Sequence, residues 1–216
     1  MKNTKRTVIA VSAALLLPAL AAAHSALASS TVSAAPPPGK VTMEVVTVNG
    51  SGCPPGTTTV TPSHDGAALT VTYRRYAAWA GDAAPPTAFR QNCQLNVRVN
   101  GPDGYTYAVT GIETRGHAHL QRGVSALQRT TYYFQGDSRS QSVSHTLQGP
   151  YDDDWHFTDT TDPSTRIYKP CDTDRNLNIN TELRVSPGDG PGTSFIAMES
   201  TYADAVYHLT WKHCPA

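Results

Sequence analysis

The stretch "GPYDDDWHFTDTTD", Gly149 to Asp162, sets three carboxylates in a row beside a Trp and a His, with Asp159 and Asp162 close behind. On a strand, Asp152 and Asp154 share one face about 7 Å apart, and Asp153 takes the other. Such oxygens suit Ca2+, which needs six to eight of them. Counted from Asp152, however, Phe157 stands where an EF-hand loop has its Gly. The plainer reading is a Gly-Pro turn whose solvated acids keep a strand soluble and unpaired, with Trp155 and Phe157 turned to the core. "CDTDRN" (171–176) poses the same choice. Asp172, Asp174 and Asn176 have the D-x-D-x-N spacing of a half EF-hand loop, but Leu177 replaces the Gly and Leu183 the bidentate acid. A polar turn after a disulfide cysteine is the plainer reading of that stretch. Asp152, Asp154, Asp172, Asp174 and Asn176 are therefore the metal candidates, and would form one shared site if the fold brings the two segments together. No cofactor is expected, with Ca2+ at these residues as the alternative.

His117 and His119 form an H-x-H pair whose imidazoles would share one face of a strand, as for Zn2+ or Cu2+. No neighbour in sequence supplies a third ligand, so two histidines on a strand edge is the plainer reading. His145, His156, His208 and His213 show no catalytic spacing. Neither G-x-S-x-G nor H-E-x-x-H occurs. A paired-acid glycosidase would need carboxylates at ~5 Å or ~6.5–9.5 Å across a cleft, which spacing along a chain does not reveal. No catalytic residue is assigned, and an enzyme is the less favoured reading. Tyr105, Tyr107, Tyr132 and Tyr133 are candidates for an aromatic ligand platform, against the competing expectation that strand aromatics pack in the core. Asn49-Gly50-Ser51 is a sequon for N-glycosylation in a host that performs it.

Short β-strands are the elements that would position these residues. "LTVTYRRY" (69–76), "CQLNVRV" (93–99) and "LNINTELRV" (177–185) alternate apolar and polar residues. In the last, Leu177, Ile179, Thr181, Leu183 and Val185 point inward, and Asn178, Asn180, Glu182 and Arg184 outward. "VTMEVVTV" (41–48), "RTTYYFQ" (129–135), "SQSVSHTLQG" (140–149), "TSFIAMES" (193–200) and "AVYHLTWKHC" (205–214) are further strands. In "AVYHLTWKHC", Tyr207, Leu209, Trp211 and His213 form the core side. "NGPDG" (100–104) reads as a turn and "YTYAVTGIET" (105–114) as the returning strand of a hairpin. About ten strands with turn signals between them indicate an all-β fold, an antiparallel, jelly-roll-like β-sandwich.

The chain opens with Lys2, Lys5 and Arg6, an apolar run from Val8 to Ala23, and a small-x-small site at Ala26-Leu27-Ala28. This order predicts a secretory signal peptide over 1–28, a Pro/Ser/Ala-rich spacer over 29–40, and one β-sandwich domain over 41–216. The full chain holds 17 Lys+Arg and 17 Asp+Glu; removing the three basic residues of the signal leaves 14 against 17, a net of −3. Mild acidity gives no electrostatic reason to expect nucleic acid, and no second apolar run predicts membrane insertion. Cys53, Cys93, Cys171 and Cys214 allow three pairings. Cys53–Cys93 with Cys171–Cys214 is preferred, because each bond then closes one continuous block of chain.

Several landmarks carry a family resemblance: "NGSGCPPGT" (49–57), "NCQLNVRVNGPDGYTY" (92–107), "LQRTTYYFQG" (127–136), "GPYDDDWHF", "CDTDRNLNINTELRV" (171–185) and the closing "YHLTWKHC" (207–214). From Glu44 to Cys214 the sequence resembles the secreted family catalogued as domain of unknown function 4360. The resemblance implies export and paired cysteines, and brings no established activity, substrate or catalytic residue. "GHAHL" (116–120) and the acidic "CDTDRN" depart from the family pattern. Three readings follow. The preferred one is a secreted extracellular binding or surface-interaction module for carbohydrate or cell envelope. The alternatives are an extracellular hydrolase using acids of Asp152–Asp162 and Asp172–Asp174, and a structural or toxin-like exported protein.

Overall fold

The structure, a computed structural model, describes residues 39–82, 84–171, 173–188, 190–198 and 204–215. The predicted signal peptide over 1–28 and nearly all of the predicted spacer over 29–40 lie outside the described residues. Twelve strands are present among them: β1 (Thr42–Asn49), β2 (Thr58–Pro62), β3 (Ala68–Tyr73), β4 (Ala77–Ala80), β5 (Arg90–Asn100), β6 (Tyr105–Leu120), β7 (Ser125–Phe134), β8 (Gln141–Gln148), β9 (Tyr151–Thr160), β10 (Leu177–Ser186), β11 (Ser194–Ala197) and β12 (Asp204–His213). One short 3-10 turn, Pro163–Thr165, is capped by the Asp162 side chain.

Two antiparallel sheets face each other. The first has the order β1-β5-β10-β7-β8; the second runs β2-β3-β12-β6-β11-β4, with β9 paired to β6. Inward residues of both sheets make one core, as the alternation requires. On β10 Leu177, Ile179, Leu183 and Val185 are fully buried, while Asn178, Asn180, Glu182 and Arg184 point outward. Each such aliphatic side chain contributes roughly 1.5–3 kcal/mol of transfer free energy. A one-residue slip would place all four in water, so the pattern itself fixes the register.

Two features differ from the sequence reading. Residues 100–104 do not close a hairpin: β5 pairs with β1 and β10, whereas β6 pairs with β12, β9 and β11. The turn carries the chain from one sheet to the other. Both edges of β5 are taken by strands distant in sequence, and a Cβ at Gly101 would collide with Trp211 of the opposite sheet. Nor is the acidic stretch a turn leading to an unpaired strand. Tyr151–Thr160 pairs with β6 along its whole length, Gly111↔Thr160 to Leu120↔Tyr151. Trp155 is buried and Phe157 packs against the core, as expected, and this apolar anchor holds the acids in a strand. β6 is correspondingly longer than foreseen and includes His117 and His119. On β12, Tyr207, Leu209 and Trp211 are buried, but His213 is exposed and packs at a tilt against Tyr105, ring centroids 4.1 Å apart.

Both disulfides pair as preferred. Cys53–Cys93 ties the β1–β2 crossover onto β5 with Cα atoms 5.4 Å apart, and Cys171–Cys214 ties the β9–β10 connection to the end of β12 at 6.0 Å. Five tyrosines, Tyr73, Tyr76, Tyr107, Tyr132 and Tyr207, are buried. Thr181 lies beside Tyr73 and Tyr76, and Thr130 beside Tyr207. Among the described residues the hydroxyls of Tyr73, Tyr76, Tyr107 and Tyr207 nevertheless find no hydrogen-bond partner.

Candidate functional site

The outer face of the first sheet is a grid of polar side chains, because every second residue of β5, β10 and β7 points to solvent. Register sets the rows. Asn96 stands opposite Asn178, which stands opposite Tyr133; Gln94 opposite Asn180 and Thr131; Asn92 opposite Glu182 and Arg129; Arg90 opposite Arg184 and Leu127. A groove of about 280 Å3 crosses the middle rows, lined by Arg90, Asn92, Gln94, Arg129, Asn180 and Glu182 with Thr131 and Thr181.

The grid is ordered by its own hydrogen bonds. Asn176 Nδ2 donates to Asn96 Oδ1 at 2.7 Å, and Asn96 Nδ2 donates to Asn178 Oδ1 at 2.7 Å. Arg90 donates to Glu182 at 2.8 Å. That guanidinium holds the Glu182 carboxyl below its usual range, with Arg184 and Arg129 adding weaker attraction. Thr131 and Ser142 hydroxyls meet at 2.9 Å on the rim. Amides, hydroxyls and guanidiniums in fixed orientation can donate to and accept from the hydroxyls of a sugar chain.

A second constellation runs along the outer face of the second sheet. Glu113, Arg115, His117 and His119 project from alternate positions of β6, and Asp152, Asp154 and His156 answer from β9. His117 Nδ1 lies 3.0 Å from Asp154 Oδ1, and His119 Nδ1 lies 3.1 Å from Asp152 Oδ1. His208 Nε2 donates to Glu113 at 2.9 Å, and His156 Nε2 is 3.6 Å from the same carboxylate. The His208 bond, with help from Arg115, lowers the Glu113 pKa. His145, on β8, bonds Asp159 at 2.8 Å and stacks on Phe157. Sequence spacing gave no sign of these pairings, since each partner lies on a different strand.

The metal candidates scatter. Asp152 and Asp154 lie opposite His119 and His117, toward the C-terminal end of β6. Asp174 lines a polar cavity of about 440 Å3 with Gly104 and Tyr105, at the other end of β6. That is on the order of 40 Å of strand away, so Asp174 shares no site with Asp152 and Asp154. Asn176 is engaged with Asn96, and Asp172 lies outside the described residues. Among the described residues no three His, Cys, Asp or Glu side chains are grouped to hold a metal ion. Of the four candidate platform rings, Tyr107 and Tyr132 are buried in the core and offer no surface. Tyr105 is half-buried against His213. Tyr133 is half-buried on the outer face of the first sheet, one row from the groove.

An "Uncharacterized secreted protein" of Arthroderma benhamiae is 34% identical over 182 residues, covering 83% of this chain and 74% of the relative. Among solved structures, TmCBM61 in complex with β-1,4-galactotriose covers 81% of this chain and 88% of its own at 12% identity, with a TM-score of 0.27. The enzymatically active domain of bacteriophage CBA120 tailspike protein 4 covers 81% of this chain and 19% of its own at 10% identity, with a TM-score of 0.24. Neither superposition is close enough to bear on this fold or site. Residues 39–214, which contain both sheets and both disulfides, match the family described as "Domain of unknown function (DUF4360)", and with the fungal relative this establishes that the chain belongs to the DUF4360 family.

Proposed function

We propose that this protein is an exported, disulfide-stabilised glycan-binding module that uses the outer face of its first sheet, after removal of a signal peptide over 1–28. The observation that carries the reading is the groove of about 280 Å3 on that face. Its lining of Arg, Asn, Gln, Thr and Glu stands on a fixed backbone, because each side chain projects from a paired strand in the interior of the sheet. Tyr133 borders it and can stack on a sugar ring. Export is supported by the positive-apolar-small order of the N-terminus, by the two disulfides and by the fungal relative, which is named as a secreted protein. Among the described residues no helix is long and apolar enough to cross a membrane.

The test is a glycan panel with the purified protein, read by thermal shift and then by calorimetry. A glycan that binds the native state raises Tm. Asn180→Ala, in the centre of the groove, removes donors and an acceptor and should weaken binding about tenfold. Binding that persists unchanged in this variant, or no binding across the panel, would refute the reading.

A further inference from the structure

The groove holds an excess of positive charge that its own hydrogen bonds do not consume. Glu182 is surrounded by three guanidiniums. Arg90 bonds it directly, Arg129 stands opposite it on β7, and Arg184, just beyond the groove lining, follows two residues along β10 on the same face. Arg90 and Arg184 are themselves directly opposite across the β5–β10 pair. Like charges in that position repel and destabilise a sheet. One carboxylate cannot fork three guanidiniums, and among the described residues Arg129 and Arg184 make no ion pair; all three arginines are exposed. Elsewhere on the face the charge balances, with Arg98 bonded to Glu44 at 3.2 Å. The cluster is thus a local net of +2 on a chain whose mature form carries −3 overall.

Such an arrangement favours an anion held by forked hydrogen bonds. The anion must also fit a groove whose remaining lining, Asn92, Gln94, Asn180 and Thr131, is matched to sugar hydroxyls. A hexuronate unit combines the two: a carboxylate for Arg129 and Arg184, and ring hydroxyls for the amides. We propose that the ligand class of this groove is an acidic glycan built from uronic acids. The proposal rests on the glycan-binding reading above and narrows it to a charge class. An unliganded cluster is left with repulsion between Arg90 and Arg184, and a bound carboxylate relieves it.

The experiment compares uronate oligomers of three kinds (galacturonate, mannuronate and glucuronate-containing) with methyl-esterified oligogalacturonate, a sulfated oligosaccharide and neutral oligosaccharides of equal length. Affinities are measured by calorimetry in 50 and 500 mM NaCl. At least one uronate oligomer should bind tenfold or more tightly than the esterified and neutral chains, and lose affinity in high salt. Arg129→Gln and Arg184→Gln should each lower that affinity at least tenfold while leaving Tm unchanged or raised, since each removes a like charge. Arg98→Gln, away from the cluster, should have no effect. Equal affinity for acid and ester, indifference to both arginine variants, or binding of the sulfated chain alone would overturn the uronate assignment. Neutral-glycan binding that is abolished by Asn180→Ala but untouched by Arg129→Gln would overturn it while leaving the glycan-binding reading intact. Absence of binding to every glycan would overturn both.

Discussion

Alkaline pH should unfold this protein in a steep step set by its buried tyrosines. Tyr73, Tyr76, Tyr107 and Tyr207 are each no more than 1% exposed, and burial pushes all four phenols well above their ordinary value. A folded pKa raised above the unfolded one leaves stability intact below the unfolded value, near 10, and erodes it as pH rises further. Above that point the unfolded chain releases four protons that the native state retains. Each costs about 1.4 kcal/mol per pH unit, so the four together cost roughly 5 kcal/mol per unit. Against a typical domain stability of about 5–15 kcal/mol, unfolding should fall one to three units above pH 10. The assay is tyrosinate absorbance at 295 nm recorded with far-ultraviolet circular dichroism along one titration. The expected trace has an early fraction, then a late cooperative rise that coincides with loss of the sheet signal. Tyr207→Phe should flatten the late step by about a quarter. It should also leave neutral-pH stability equal or higher, because the hydroxyl it removes has no hydrogen-bond partner among the described residues. A single smooth ionisation of all tyrosines near pH 10 with the sheet signal intact would refute the reasoning.

Removing the Cys53–Cys93 bond by paired Ala substitution should cost about 4 kcal/mol in denaturant titration, the loop-entropy value for a separation of 40 residues. Gly116→Ala should destabilise by roughly 1–3 kcal/mol, because the new Cβ would run into the Ala197 carbonyl and the Trp155 ring, neither of which can retreat; a Tm unchanged within a degree would count against the β6–β9–β11 packing. Glu113, its carboxyl held low by His208 and Arg115, contributes stability that is present above the ordinary carboxylate range and lost as pH falls through its lowered value. Glu113→Gln should therefore narrow the stability difference from the parent at pH 3 and widen it at pH 6, as read by thermal melts. In a host that glycosylates the Asn49 sequon, the glycan would rise beside Gln94, since Asn49 pairs with that residue on the outer face. Material from such a host should bind groove ligands more weakly until it is deglycosylated.

The division between what the sequence reveals and what it hides follows from the range of the interactions. Alternation is local, so the inward and outward sets of β10 can be read directly from "LNINTELRV", and with them the groove's central strand, Asn180 and Glu182, and Arg184 beside it. Their partners are not local. Arg90 reaches Glu182 across 92 residues and Asn96 reaches Asn178 across 82, and no periodicity encodes a pairing at that distance. The same limit explains the two departures. The turn at 100–104 has hairpin composition, yet a turn that changes sheets uses the same Gly, Pro and Asp; only competition from β10 and β12 for the strand edges decides between the two. In the acidic stretch, the run of carboxylates argues for a solvated, unpaired segment, while Trp155 and Phe157 on one face argue for a strand packed on the core. Burying Trp155 alone offers about 2–3 kcal/mol or more, whereas Asp152 and Asp154 give up little hydration, with side chains 67% and 86% exposed. Packing on one face therefore prevails, and the acids follow to the other, where β6 presents His117 and His119 to meet them. In both constellations, then, chemistry-bearing residues are positioned by the apolar residues between them, and their partners are chosen by strand order, which no single segment contains.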